Sequence, residues 1–155
     1  MNLNRLKKIA AWLLAMVSAT QLFAAVTVGN LRCEHLENPQ GIDAVSPRFS
    51  WQLASGDRGV RQTAFQILVA SSEKILARDE GDLWEHEVAS DSSILLSYAG
   101  KPLTSRQPCF WKVRVWDAAG NISKWSTPAK WTMGVLKPTD WNAAKWIGQD
   151  GTDTT

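Results

Sequence analysis

Histidine and cysteine are scarce in this 155-residue sequence, with two of each, and tyrosine occurs once. Neither His35 nor His86 has Cys, Asp or Glu at a spacing that would complete a metal site, so no metal is expected. There is no Gly-x-Ser-x-Gly elbow and no glycine loop fit to cradle a phosphate, which removes the common signatures of serine hydrolases and nucleotide-binding folds. Internal repeats and low-complexity tracts are missing too, which gives no sign of a solenoid. From these patterns no catalytic residue, metal ligand or cofactor-binding residue is assigned, and no cofactor is expected.

The one long apolar run lies at the start. Arg5, Lys7 and Lys8 precede almost unbroken apolar sequence from Ile9 to Val17, and small residues follow at Ser18, Ala19, Ala24 and Ala25. That is the layout of a secretory signal peptide spanning residues 1–25. The rival reading is a membrane anchor, but Ser18, Thr20 and Gln21 interrupt the run well short of the roughly 20 apolar residues a spanning helix needs. The expectation is export to the periplasm or beyond, with no membrane attachment once the signal is removed. Cys33 is a poor lipid-attachment site because Arg32 precedes it. Removing residues 1–25 takes three basic residues and no acidic ones, so 17 basic against 15 acidic becomes 14 against 15. The basic character of the precursor therefore implies nothing about nucleic acid, and no Lys/Arg cluster survives to suggest it.

What remains is enough chain for one core. Trp111, Val113 and Val115 alternate with Lys112, Arg114 and Trp116, the two-residue period of a strand with one buried face. Asp117 to Asn121 supplies a turn, with Gly120 available for a positive φ, and strand character is expected to resume from Lys124 through Trp131 and Met133. Upstream, strands are expected over 26–36, 49–54 (Phe49, Trp51 and Leu53 inward), 63–70, 83–88 and 94–98. The 63–70 segment is apolar on both faces apart from Gln66, which places it centrally in its sheet. Ser71 to Arg78 reads as a short helix behind a serine N-cap. Short strands with turn signals at this spacing predict an all-β, fibronectin type III-like (immunoglobulin-like) sandwich with one inserted helix over residues 26–136. Residues 137–155 read as a linker followed by the truncated start of a second β module, opened by Trp141, Trp146 and Ile147.

Cys33 and Cys109 both fall on inward faces of strands. The pattern favours two separate buried thiols, and a bridge between facing sheets is the alternative. The densest acidic group is Asp79, Glu80, Asp82, Glu85 and Glu87. Glycoside hydrolysis needs two carboxylates opposed across a sugar, but nothing in the sequence opposes these, and a solvated loop and strand edge accounts for them. Trp51, Trp111 and Trp131 are in phase with the core. Trp84, Trp116, Trp125, Trp141 and Trp146 are less committed, and Trp84 or Trp116 could supply a sugar-stacking platform. Edge packing and contact with a neighbouring module are the plainer readings. Ser123-Lys124-Trp125-Ser126 partly resembles the tryptophan–serine motif of cytokine-receptor fibronectin domains, which implies Trp125 stacked on basic side chains such as Arg114.

Several blocks in order resemble the N-terminal region of bacterial α-L-rhamnosidases. They are Leu31-Arg32-Cys33-Glu34 with Glu37-Asn38-Pro39, Ser46-Pro47-Arg48-Phe49-Ser50-Trp51, Arg61 to Val69, Gly81-Asp82-Leu83-Trp84 and Trp111 to Asp117; Trp146-Ile147-Gly148 resembles the opening of the jelly-roll module that follows. Cys109 departs from that pattern, where an aromatic residue is expected. The resemblance implies glycosidases whose catalytic carboxylates sit on an (α/α)6 barrel beyond this chain, so no catalytic residue carries over. It implies a non-catalytic accessory module, inactive alone, whose partners are the downstream modules of the same polypeptide, with at most weak carbohydrate contact. The alternatives are a free-standing carbohydrate-binding module and a cell-surface protein-interaction domain.

Overall fold

Strands form wherever the two-residue apolar period runs, in a computed structural model that describes residues 26–144. The expected signal peptide and Trp146 lie outside those residues. The elements are β1 (Thr27–Cys33), β2 (Arg48–Ala54), β3 (Gln62–Ala70), α1 (Glu73–Leu76), β4 (Trp84–Val88), β5 (Leu96–Ser97), β6 (Pro108–Asp117), β7 (Ala129–Thr132) and a 3-10 helix over Pro138–Trp141. They build a three-stranded sheet ordered β1-β2-β5 and a four-stranded sheet ordered β4-β3-β6-β7. All strand pairs are antiparallel. This is the immunoglobulin-like sandwich that the sequence predicts, and β3 lies inside its sheet as its two-faced apolarity requires. Ser72 caps α1, its hydroxyl accepting from the Ile75 N–H.

Three elements are shorter than the pattern suggests, each for a local reason. The first strand stops at Cys33 because Glu34 and His35 turn left-handed, at φ 48° and 65°. The fifth shrinks to two residues beside Leu95, also left-handed at φ 56°. The last does not begin at Lys124. Ser123 and Ser126 pair with β6 through their hydroxyls, which accept from the N–H groups of Val115 (3.0 Å) and Val113 (3.1 Å). Their own N–H groups donate to the carbonyls of those same two residues, at 2.9 Å each. The hydroxyls stand in for backbone acceptors, so regular pairing starts only after Pro128.

Phe49 centres the core. Its ring lies 4.6 Å from Trp111 and 5.2 Å from Trp131, with Trp84 and Tyr98 at 6.2 and 6.5 Å. Burying one such aromatic side chain is worth roughly 1.5–3 kcal/mol. Trp51 packs edge-on against Phe65 at 5.1 Å, and its indole N–H donates to Gln62 Oε1 at 2.9 Å across the gap between the sheets. A register shift at the start of β3 makes that bond accessible: with one residue extra at Thr63, Gln62 turns inward and is buried. The Gln62 amide then donates to the carbonyls of Ser90 (3.0 Å) and Ser92 (2.9 Å).

The exposed edge of β7 is covered by the loop joining β1 to β2. Lys130 N–H donates to Asn38 Oδ1, Thr132 N–H to the Pro39 carbonyl, and Ile42 N–H to the Thr132 carbonyl. A free edge strand would be a template for association, and this loop blunts it. Just beyond it, where the Gly134 N–H donates to the Ile42 carbonyl, the segment read as linker is held down. The Leu136 N–H donates to Ser105 Oγ at 2.8 Å, and the Ser105 hydroxyl also bonds the Asp140 carboxylate.

Candidate functional site

The outer face of the four-stranded sheet carries the densest polar arrangement. Gln66, the lone polar residue of the β3 run, donates its amide N–H to Glu85 on β4 (2.9 Å) and accepts from Arg114 Nε on β6 (2.8 Å). The Arg114 guanidinium carbon lies 4.5 Å from the Trp125 ring centre and 5.5 Å from that of Trp116. The Lys112 ammonium sits 4.9 Å from the Trp125 centre, so the basic stacking implied for Trp125 is present with two cations rather than one. Lys112 leaves the core face as its phase requires, yet it is buried. Leu68, Ala70 and Leu76 form a second small apolar cluster beneath α1, joined by Phe110 and Trp125. Within it the ammonium donates to the Leu76 carbonyl at 2.7 Å and to the Asp79 carboxylate. That bond from Lys112 is the main reason the Asp79 carboxyl is held below the ordinary carboxylate range, against a smaller opposing effect of burial.

The acidic group is dispersed by these pairings. Asp79 holds Lys112, Glu80 pairs with Arg78 at 2.8 Å, and Glu85 meets Gln66. Asp82 accepts from the N–H and hydroxyl of Ser71 at 2.8 and 2.7 Å. Burial alone would raise Asp82, but those two donors bring it below its usual value. Each of the four is committed to its own neighbour, an arrangement unlike the opposed carboxylates of a glycosidase. His86 stacks on Trp84, with rings 5.6 Å apart and 9° from parallel. Among the described residues, no group of three or more His, Cys, Asp or Glu side chains is placed to hold a metal.

Of the less committed tryptophans, Trp84 is only 9% exposed and belongs to the main core. It cannot offer a face to a sugar, because Phe49, Tyr98 and His86 already occupy its surroundings. Trp116 is half-buried beside Arg114, while Trp141, at 50% exposed, stands on the 3-10 helix where the chain leaves the sandwich. Cys33 and Cys109 are free and buried, and burial is the chief cause that pushes both thiols up to about 12.

The blocks that carried the family resemblance turn out to hold the fold's polar fasteners. Glu34, at the left-handed end of β1, accepts from the Arg48 N–H and from its guanidinium, with Nη2 at 2.7 Å, tying the end of β1 to the start of β2. The hydrogen bond from Arg48 is also the leading reason the Glu34 carboxyl lies below its ordinary range. Asn38 and Pro39 cap the β7 edge, Gln62 bridges the sheets, and Asp82 anchors the start of α1 to the approach to β4. Gln62, Lys112 and the Gln66 ladder were not singled out by sequence reasoning. The available signal was a polar residue inside an otherwise apolar strand.

Comparison with known proteins gives consistent matches. The family described as "Rha78A-like, N-terminal immunoglobulin domain" matches residues 28–137. An α-L-rhamnosidase of Streptomyces avermitilis is 45% identical over 125 residues, which is 80% of this chain and 12% of that protein. One from Formosa agariphila is 40% identical over 116 residues, 74% of this chain and 12% of its own length. Among solved structures, the S. avermitilis enzyme complexed with L-rhamnose aligns at TM-score 0.72 and 44% identity, over 77% of this chain and 12% of that one. The α-L-rhamnosidase of Dictyoglumus thermophilum aligns at TM-score 0.75 and 34% identity, over 80% and 14%. The chain thus spans about an eighth of the length of these relatives.

The stack on the outer face gives a direct test. A double-mutant cycle of Arg114→Ala and Trp125→Ala, read by urea unfolding, should return a coupling of about 0.5–1 kcal/mol. A coupling indistinguishable from zero would show that the ring and the guanidinium are merely adjacent.

Proposed function

We propose the following role for this chain, which belongs to the family of Rha78A-like N-terminal immunoglobulin domains. It is a non-catalytic structural module of an α-L-rhamnosidase-like glycoside hydrolase acting on rhamnose-containing glycans. The observation that supports this reading is where the polar residues of the family blocks are spent. Glu34, Arg48, Asn38, Gln62 and Asp82 all bond within the sandwich, and four of the five clustered carboxylates, Asp79, Glu80, Asp82 and Glu85, are each paired with their own neighbour. Such a domain offers rigidity and surface to its neighbours and no reacting group to a substrate.

Residues 137–155 are the linker and the opening of the next module in the same polypeptide. Ser105 grips both Leu136 and Asp140, which fixes the direction in which the chain departs. That departure is what a positioning module must control, because loosely tethered domains move relative to one another by default.

A chimera tests the role. The matching 125-residue region of the S. avermitilis enzyme is replaced by this chain's residues, and α-L-rhamnoside hydrolysis is followed. The chimera should keep kcat and KM within about twofold of the parent, because uniform support of the fold leaves the transition-state interactions untouched. The isolated 155-residue chain should not turn over the same rhamnoside. Turnover by the isolated chain, removed by Glu85→Gln or Asp82→Asn, would overthrow the non-catalytic reading.

The module also belongs to an exported protein. When the chain is expressed with its own N-terminus in a bacterial host, intact-mass measurement should find the soluble periplasmic protein shortened by the first 24 or 25 residues. Recovery of the unshortened chain in the cytoplasm alone would contradict export.

A further inference from the structure

On the opposite side of the molecule from the Trp125 stack, the outer face of β1 and β2 holds a groove of about 500 Å³. We propose that this groove binds an acidic saccharide, its carboxylate on Arg32 and its hydroxyls on Gln52, Ser50 and Ser93. Nothing in the structural role described above requires such a site.

Arg32 carries the argument. The residue is partly exposed, and its guanidinium is oriented by two neutral acceptors, Nε donating to Asn30 Oδ1 at 3.2 Å and Nη1 to the His35 carbonyl at 3.4 Å. The ion pairs among the described residues join Arg48 to Glu34, Arg78 to Glu80 and Lys112 to Asp79, and none engages Arg32. A guanidinium has five N–H donors in a rigid fork suited to carboxylate. Here the fork is held in place with donors to spare, and no Asp or Glu lines the groove.

The backbone is shaped for this arrangement. The register of β1 against β2 shifts between Gly29 and Arg32, and Asn30 is left-handed at φ 49°. The bulge puts two successive residues, Gly29 and Asn30, on the outer side, whereas Val28 and Leu31 remain buried. Bulges re-aim side chains in this way, and the one re-aimed here buttresses Arg32. A Cβ added at Gly29 would meet nothing within 4 Å, so the floor beside Asn30 stays open.

The remaining lining decides the class of ligand. Among the described residues, Gln52 and Ser93 have no side-chain hydrogen-bond partner, and the Ser50 hydroxyl accepts from the Leu95 N–H while its own proton is available to donate. Amides and hydroxyls both donate and accept, as adjacent sugar hydroxyls do. Ile94, 69% exposed, and Leu53 add an apolar wall that suits the C–H face of a pyranose ring. An anion without hydroxyls would use only Arg32, and a neutral sugar would leave the guanidinium unpaired. A uronate uses the whole groove.

The test is an amide-resolved NMR titration of the full chain with methyl β-D-glucuronoside, methyl β-D-glucoside, acetate and a triglutamate peptide. The glucuronoside should shift the resonances of residues 30, 32, 50 and 52 and saturate. The neutral glucoside and acetate should each bind at least about tenfold more weakly, a difference of about 1.4 kcal/mol. Arg32→Gln should weaken the glucuronoside by a similar factor and Gln52→Ala by less, while Arg58→Gln, outside the groove, should leave it unchanged. Unaltered spectra of the variants without ligand would show that the fold is intact. No shift at these residues, shifts mapping elsewhere, or equal binding of acetate would overturn the proposal. Tighter binding of the triglutamate peptide would also overturn it, assigning the groove to a protein segment instead.

Discussion

Trp51 can be buried because Gln62 takes its indole proton. The bond crosses from one sheet to the other inside the core, and the same glutamine reaches out to the carbonyls of Ser90 and Ser92. A single side chain thereby fixes the spacing of the sheets and the course of the loop that leads into β5. An unpaired buried donor costs about 1–3 kcal/mol, and among the described residues the Trp111 indole N–H already bears that cost, with no hydrogen-bond partner there. The aromatic cluster around Phe49 supplies the bulk of the burial. Because burial is non-directional, the polar bonds at the rim and across the core are what select one arrangement of the two sheets.

The strands were legible wherever the apolar period was undisturbed. Phe49, Trp51, Trp111, Val113 and Val115 all face inward as their spacing requires, and the serine cap of α1 is where the sequence places it. The misjudged parts arise either from a residue that breaks the period without announcing itself or from packing that covers a residue whose period is regular. Thr63 is an ordinary strand former, yet it is the extra residue that turns Gln62 inward. Ser126 falls in the strand expected from Lys124, yet it and Ser123 replace backbone acceptors instead. Lys112 reads as a solvent-facing cation, but its stem and charge are both covered once α1 folds over β6, something no local pattern encodes. Trp84 takes the plainer packing reading rather than the sugar platform, because a strand at the sheet edge still contributes its inward face to the core.

The family blocks gain a physical meaning from this structure. Their polar members are fasteners: Glu34 to Arg48 at one end, Asn38 along the β7 edge, Gln62 between the sheets, and Asp82 at the start of α1. A pattern made of fasteners reports the fold, and it leaves the surfaces the fold holds still free for other contacts. Two such surfaces are distinct here. One is the exit at Ser105 and Asp140, directed toward whatever follows in the chain, and the other is the groove around Arg32.

Among the polar bonds that account for the family blocks, the one buried between the sheets, from Trp51 to Gln62, carries the most weight. Urea unfolding of Gln62→Leu in the full chain measures it directly. The substitution keeps the apolar bulk but strands the Trp51 indole and the Ser90 and Ser92 carbonyls, so stability should fall by about 3 kcal/mol, with the exposed Arg61→Gln showing no comparable loss. A change of less than about 0.5 kcal/mol, the size of an ordinary surface substitution, would contradict the account.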